Sequence, residues 1–151
     1  MGALNILLVD DDRNLVTTLS YGLQKAMGKA ISIAMCFSGS EALAILATQR
    51  FDVVISDFNM PGMSGLELLS KIRQDHREII LVLITAYGTE VLEEDMHRLG
   101  IGYVSKPFEP LRLVQMIHGL IRGKETRGGI ESATRILIPD QESNAAIYNK
   151  K

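Results

Sequence analysis

The chain reads FDVVISDFNMPGMSG from residue 51 to residue 65, and this stretch decides the fold. A short β-branched run bounded by proline and glycine is typical of a fully buried strand that ends in a loop. Asp57 closes the run. Its carboxylate is therefore predicted to lie at the carboxyl end of a strand, where open α/β sheets bind their ligands.

Apolar runs alternate with helical patterns along the rest of the chain. Strands are predicted at Asn5–Val9, Ile31–Cys36, Val53–Ser56, Ile79–Thr85 and Gly102–Ser105. Helices are predicted at Arg13–Met27, Ser40–Gln49, Gly65–Asp75, Glu90–Leu99 and Pro110–Arg122. Five strand–helix units of this length predict a doubly wound parallel sheet with helices on both faces.

The residues that flank these helices support the same boundaries. Gly28, Gly100 and Gly123 stand where helix C-caps are expected, and Ser38 or Ser40 can cap the second helix. The fourth helix has a thin apolar stripe interrupted by the acids at 93–95. That pattern fits either a solvated helix face or a helix held weakly enough to move in a switch.

Composition limits the classes of function. A net charge of −2 gives no bulk basicity for binding nucleic acid or an anionic membrane surface. No apolar run is long enough to span a bilayer, and the N-terminus shows no secretory signal. Cys36 is the single cysteine, so it is expected to be a small core residue in a reducing, cytoplasmic setting.

The sequence changes character near residue 123, which predicts a domain over 1–123 followed by an extension over 124–151. Residues 124–131 are polar and broken by glycine, as in a linker, and residues 135–139 are compatible with a short strand. The extension therefore has three interpretations: a linker, the first strand of a truncated effector, or an added dimer contact. Helix-turn-helix patterning is not evident there, so no direct nucleic-acid binding is expected from this segment.

Polar residues lie at the carboxyl ends of four of the predicted strands: Asp10 and Asp11, then Asp57, Thr85 and Lys106. Parallel strands end at the same edge of a sheet, so these five side chains are predicted to converge. Carboxylates with a loop carbonyl and water suit a hard octahedral cation such as Mg²⁺. The group contains no histidine or cysteine, which argues against zinc.

The charges of this group indicate phosphoryl chemistry. Three carboxylates are balanced by one lysine and one divalent cation, and an incoming phosphoryl group adds charge that Lys106, the metal and the Thr85 hydroxyl can stabilise. Asp57 ends the most central strand and is placed for nucleophilic attack, which would give an aspartyl phosphate. Asp10 and Asp11 are better placed to hold the metal.

Four motifs, at residues 6–12, 57–65, 83–88 and 103–108, resemble the receiver domains of two-component response regulators. The resemblance covers about residues 4–122. It implies a flavodoxin-like (βα)5 fold with strand order 2-1-3-4-5. The Thr-Ala-Tyr-Gly run at residues 85–88 leans toward receivers of the nitrogen-regulation type.

The resemblance also implies the chemistry of Asp57. This residue would accept a phosphoryl group from a sensor histidine kinase, a histidine phosphotransfer protein or acetyl phosphate, as in bacterial phosphorelays. Mg²⁺, with Mn²⁺ as a substitute, would be held by Asp10, Asp11, Asp57 and the main-chain carbonyl of Asn59. The domain would assist its own phosphorylation and dephosphorylation without being an enzyme.

Further roles are implied for four residues near the strand ends. Thr85 and Tyr103 match the switch pair of the family, in which the hydroxyl moves to the phosphoryl group and the aromatic ring turns inward. Lys106 matches the lysine that contacts the phosphoryl oxygens, and Pro107 matches a cis-proline position. The switch would act on the surface of the fourth helix, fifth strand and last helix, which would contact an effector domain, a partner or a second copy.

Asn59 and Tyr87 match positions that tune dephosphorylation in the family, and Asn59 also bears on a rival function. A magnesium-dependent phosphohydrolase of the aspartyl-phosphate kind also uses an aspartate nucleophile, a threonine or serine and a lysine. Such an enzyme usually has a second acid two residues after the nucleophile, where this chain has Asn59. The receiver interpretation is therefore preferred, and the phosphohydrolase remains the alternative.

Overall fold

Five parallel strands alternate with five α-helices in residues 2–86 and 88–126, the part of the chain that the computed structural model describes. The strands are β1 (Leu4–Val9), β2 (Ile31–Cys36), β3 (Val53–Asp57), β4 (Ile80–Thr85) and β5 (Gly102–Ser105). The helices are α1 (Arg13–Met27), α2 (Gly39–Leu46), α3 (Gly65–Asp75), α4 (Glu90–Leu99) and α5 (Pro110–Thr126). The sheet has the order β2-β1-β3-β4-β5, which confirms the predicted doubly wound fold.

Two hydrophobic cores lie on the two faces of the sheet. Alternation along β1 sends Leu7 and Val9 toward the core that contains residues of α2, α3 and α4, while Ile6 and Leu8 face the core of α1 and α5. These four side chains are at most 2% exposed, and burial of each contributes about 1.5–3 kcal/mol. The central strands are therefore a rigid base for the loops that follow them.

Four helices begin with the same hydrogen bond, in which the side chain of the residue before the helix accepts from a main-chain N–H three residues later. The capping residues are Asp12, Ser38, Ser64 and Thr89, and each bond is 3.1 Å long. Ser38 is thus the cap of α2, which confirms the first of the two predicted candidates, Ser38 and Ser40. Capping fixes where each helix starts, so the loops after β1, β3 and β4 have defined ends.

The expected C-cap at Gly123 is wrong, because α5 continues to Thr126. Glycine costs about 1 kcal/mol in a helix interior relative to alanine, which is too little to end a helix that tertiary contacts hold. Gly123 is buried, and the next residue, Lys124, donates from its side chain to the carbonyl of Glu78. This contact holds the last turn of α5 against the loop that precedes β4.

The other differences are small. The predicted helix Ser40–Gln49 begins one residue earlier and ends at Leu46, after which the N–H of Thr48 donates to the Ile45 carbonyl three residues back, as in the tighter turns that close helices. Tyr87 and residues 127–151 lie outside the described residues, as does the predicted strand at 135–139. Within the described ranges, no helix has the length and apolarity needed to cross a membrane.

Candidate functional site

The predicted strand ends do converge at the carboxyl edge of the sheet. Asp10 follows β1, Asp57 and Thr85 are the last residues of β3 and β4, and Lys106 follows β5. Main-chain hydrogen bonds tie the neighbouring ends together, from Phe58 N to the Ile84 carbonyl and from Lys106 N to the Thr85 carbonyl, both 2.8 Å. The backbone therefore holds the acidic, hydroxyl and basic side chains in one cluster.

Three carboxylates form the acidic part of this cluster. Asp10, Asp11 and Asp57 each offer an oxygen, and these oxygens all lie within 4.8 Å of one another. Asp10 and Asp57 are only 9% and 7% exposed, whereas Asp11 is exposed to solvent. Two buried carboxylates and an exposed one, without histidine or cysteine, fit a hard divalent cation that keeps some of its water.

Main-chain N–H groups orient the two buried carboxylates. The N–H of Asp12 donates to Oδ1 of Asp10, and the N–H of Asn59 donates to Oδ2 of Asp57, both at 3.0 Å. Asn59 is itself exposed at the surface of the β3–α3 loop. The structure thus shows the main-chain nitrogen of Asn59 at Asp57, while the role predicted for its carbonyl oxygen stays a prediction.

Lys106 is paired directly with Asp57. Its Nζ lies 2.5 Å from Oδ1 of Asp57, and the two side chains are 28% and 8% exposed. Since Oδ2 of Asp57 accepts from Asn59, both oxygens of this carboxylate have a positively polarised neighbour. Asp57 is the only one of the three acids that the described residues place in an ion pair.

The environment of Asp10 changes its acidity. The pKa of Asp10 is raised from 3.8 to about 6, first by burial and then by the nearby charges of Asp57 and Asp11, against the opposing effects of the Asp12 hydrogen bond and Lys106. The raised pKa means that ionised Asp10 is unfavourable in the folded protein without a cation. The contribution of Asp10 to the free energy of unfolding therefore falls as pH rises through the pKa that Asp10 has in the unfolded chain. The decrease is complete above about pH 6.

We expect Mg²⁺ to bind more tightly as pH rises toward 6 and its affinity to level off above that value. Below pH 6 the cation must displace the proton of Asp10, which changes affinity by up to about tenfold per pH unit. Calorimetric titration with Mg²⁺ at pH 5 and pH 7.5 measures the difference. Mg²⁺ should also raise the melting temperature, and more so at pH 7.5.

The matched variant for this measurement is Asp10→Asn, which cannot lose a proton in this range. It should bind Mg²⁺ more weakly, and its affinity should vary less between pH 5 and pH 7.5. Equal Mg²⁺ affinity of the native protein at the two pH values would contradict the role of Asp10, and an unchanged melting temperature at saturating Mg²⁺ would contradict the metal site.

The residues predicted as a switch pair lie beside this cluster. Thr85 is 1% exposed at the end of β4. Tyr103 lies on β5 with its hydroxyl oxygen buried, and burial raises the pKa of this phenol. A Cβ atom added to Gly88 would overlap that hydroxyl and lie 2.9 Å from Cζ of Tyr103. The Tyr103 hydroxyl therefore lies against Gly88, in the loop between β4 and α4.

Two further sequence predictions have different outcomes. The peptide bond between Lys106 and Pro107 is cis, as the resemblance implied. Tyr87, predicted to tune dephosphorylation, is outside the described residues.

One contributor that sequence reasoning left without a role is Gly65, which lies directly against the main-chain carbonyl of Asp57. Its only signal in the sequence was a glycine in the first turn of a helix after a strand-end acid.

Comparisons with known proteins agree on one family. Residues 6–118 match the family model described as the response regulator receiver domain. The response regulator protein FleR of Pseudomonas aeruginosa is 36% identical over 143 residues, which cover 90% of this chain and 30% of FleR. The DNA-binding transcriptional regulator NtrC of Klebsiella pneumoniae is 35% identical over 104 residues, or 68% of this chain and 21% of NtrC.

Solved structures show the same fold. The chemotaxis response regulator CheY4 of Vibrio cholerae superposes with a TM-score of 0.68 at 29% sequence identity, covering 78% of this chain and 98% of CheY4. By contrast, the chain spans less than a third of the length of FleR or NtrC. The similarity to those two regulators therefore concerns one part of each.

Proposed function

The chain belongs to the family of response regulator receiver domains, and we propose that it accepts a signalling phosphoryl group on Asp57 in a two-component phosphorelay. The donor would be a sensor histidine kinase, a histidine phosphotransfer protein or a small molecule such as acetyl phosphate. The observation that carries the proposal is the arrangement around Asp57. This carboxylate has Lys106 Nζ at 2.5 Å and two further acids whose oxygens lie within 4.8 Å.

In the proposed reaction, a carboxylate oxygen of Asp57 attacks the phosphorus of the donor. An oxygen–phosphorus bond forms as the bond to the donor's nitrogen or oxygen breaks, and the leaving group takes the electron pair. Lys106 moves from the carboxylate to the phosphoryl oxygens, whose charge it neutralises, and the Thr85 hydroxyl donates to the same group. Mg²⁺ held by Asp10, Asp11 and Asp57, with Mn²⁺ as a substitute, would supply the remaining positive charge.

The proposed consequence of phosphorylation is a change of the α4–β5–α5 surface. Thr85 and Tyr103 link the site to this surface, because Thr85 ends β4 and Tyr103 lies on β5. Val91 of α4 and Leu111 of α5 are 68% and 59% exposed, which leaves apolar side chains available for contact. An output domain, another protein or a second copy of the chain would bind this surface in a phosphorylation-dependent way.

The domain is proposed to extend over residues 1–126, three residues beyond the predicted boundary at 123 because α5 ends at Thr126, with the rest of the 124–151 extension as a linker or the start of a further region. FleR and NtrC are both longer than this chain, which supports an output region in the whole protein. Residues 1–151 are proposed to act in the cytoplasm, without direct contact to nucleic acid or membrane.

Mass spectrometry after treatment with acetyl phosphate and Mg²⁺ tests the proposal. We expect the intact chain to gain one phosphoryl group, and we expect the gain to disappear when a chelator removes Mg²⁺. Absence of the adduct under both conditions would contradict phosphoryl acceptance. Repeated turnover of an organic phosphate monoester would instead favour the phosphohydrolase.

A further inference from the structure

Arg73, on the last turn of α3, binds an unusual set of partners. Its guanidinium donates only to main-chain carbonyls among the bonds that the described residues show. Three of them, at 2.9–3.4 Å, belong to His76, Arg77 and Ile79 in the segment from α3 to β4. The other two, both at 3.1 Å, belong to Leu99 and Gly100 at the C-terminal end of α4.

These contacts explain why a half-buried cation is stable at this place. Burial lowers the pKa of Arg73, so the charged form needs compensation from its surroundings. The last carbonyls of a helix lack partners within the helix and carry the negative end of its dipole. Arg73 satisfies carbonyls at the end of α4 and beyond the end of its own helix, α3, and it connects the two helices by doing so.

The two ends of α4 are held very differently. At the C-terminal end, Gly100 adopts a φ of +67°, and the N–H of Ile101 donates to the Met96 carbonyl at 2.8 Å. Ile101 is 5% exposed and leads directly into β5. Arg73 adds its two bonds to this already closed end.

Among the described residues, the N-terminal end of α4 shows fewer hydrogen bonds to its surroundings than the C-terminal end does. Thr89 caps it, and Val91 in its first turn is 68% exposed. Only residues 86–89 separate this end from Thr85, the buried hydroxyl of the candidate site. By the hydrogen bonds of the described residues, the end of α4 nearest the site in sequence is thus the less restrained one.

We propose that Arg73 is a positioning residue that fixes the C-terminal end of α4, so that phosphorylation of Asp57 moves the helix about this end. The proposal rests on the proposed receiver function. It adds a pivot, the C-terminal end of α4 held by Arg73, about which the helix moves. A fixed C-terminal end converts a small displacement near Thr85 into a tilt of α4. Its exposed N-terminal turn, with Val91, then moves most.

Amide hydrogen exchange of the full chain with Mg²⁺, with and without beryllofluoride as the phosphoryl mimic, tests the pivot. In the native protein, beryllofluoride should change exchange in residues 88–93 and leave Gly100 and Ile101 nearly unchanged. Arg73→Lys keeps the charge but cannot bridge the same carbonyls. It should speed exchange of Ile101 about tenfold, the factor expected from loss of one hydrogen bond, and make Gly100 and Ile101 respond to beryllofluoride.

Arg77→Lys is the matched control, since it makes the same substitution in an exposed residue of the same segment. Its amide exchange, with and without beryllofluoride, should match that of the native protein. The pivot is overturned if Gly100 and Ile101 respond to beryllofluoride in the native protein as strongly as residues 88–93, or if Arg73→Lys leaves their exchange unchanged. Failure of beryllofluoride to bind at all, read from the fluorine NMR signal, would instead refute the receiver function on which the pivot rests.

Discussion

Asp57→Asn is expected to abolish phosphorylation by acetyl phosphate while leaving the fold intact. The amide has nearly the same shape as the carboxylate and can still accept the N–H of Asn59. However, a neutral amide is not a nucleophile toward phosphorus, and it gives up the ion pair with Lys106. The mass adduct should vanish at every donor concentration, and circular dichroism should show unchanged secondary structure.

Asp12→Asn is the control that separates the role of Asp57 from the general loss of a nearby acid. Asp12 is exposed and caps α1 by accepting from Leu15 N, a task that asparagine performs equally well. The hydrogen bond that its main-chain N–H donates to Oδ1 of Asp10 is not altered by the substitution. We expect full labelling of this variant. Retained labelling of Asp57→Asn would remove Asp57 from its role, as would loss of labelling in Asp12→Asn alone.

Much of the fold could be predicted because the two strands β3 and β4 are fully buried and β1 is buried over its last four residues. Continuous apolar runs such as Ile80–Thr85 have the length of a strand and are far shorter than a bilayer span, and residues with turn or capping tendencies follow them. The edge of the sheet was predictable for a related reason. Charged or hydroxyl residues directly after buried strands in a parallel sheet must meet at one edge, and Asp10, Asp57, Thr85 and Lys106 do so.

What sequence reasoning missed depends on contacts between distant segments. Gly123 has the appearance of a helix end, but the bond from Lys124 to the Glu78 carbonyl involves a residue 46 positions away. Arg73 has the appearance of an ordinary surface cation at the end of a helix, yet two of its acceptors lie 26 and 27 positions away. Main-chain acceptors leave no trace in residue type, so these bonds are visible only in the fold.

Gly65 is the clearest case of a residue whose importance comes from the fold. It is the first residue of α3, and its N–H donates to the Phe58 carbonyl at 2.9 Å. A Cβ atom there would overlap the main-chain oxygen of Asp57 and lie 2.8 Å from its carbonyl carbon. The same carbonyl accepts from the Ser56 hydroxyl. The start of α3 is thus packed against the backbone that carries the proposed phosphoryl acceptor.

We therefore expect Gly65→Ala to lower the free energy of unfolding by about 3 kcal/mol or more, since backbone must shift to admit the methyl group. A shift of about 1 Å at Asp57 should also slow labelling by acetyl phosphate about 100-fold. Urea unfolding and timed mass spectrometry measure the two effects.

Gly39→Ala is closely matched to Gly65→Ala, because Gly39 is likewise the first residue of a helix behind a serine cap. Its added Cβ would meet the side chain of Met63, with Sδ nearest at 2.8 Å, instead of backbone. A methionine side chain can rotate away, and alanine is favoured over glycine within a helix, so the net change should stay within about 1 kcal/mol. Equal destabilisation by the two substitutions, with equal labelling rates, would show that the contact of Gly65 with Asp57 does not position the acceptor. A large loss confined to Gly65→Ala would mean that the geometry of the site depends on how closely α3 approaches the end of β3.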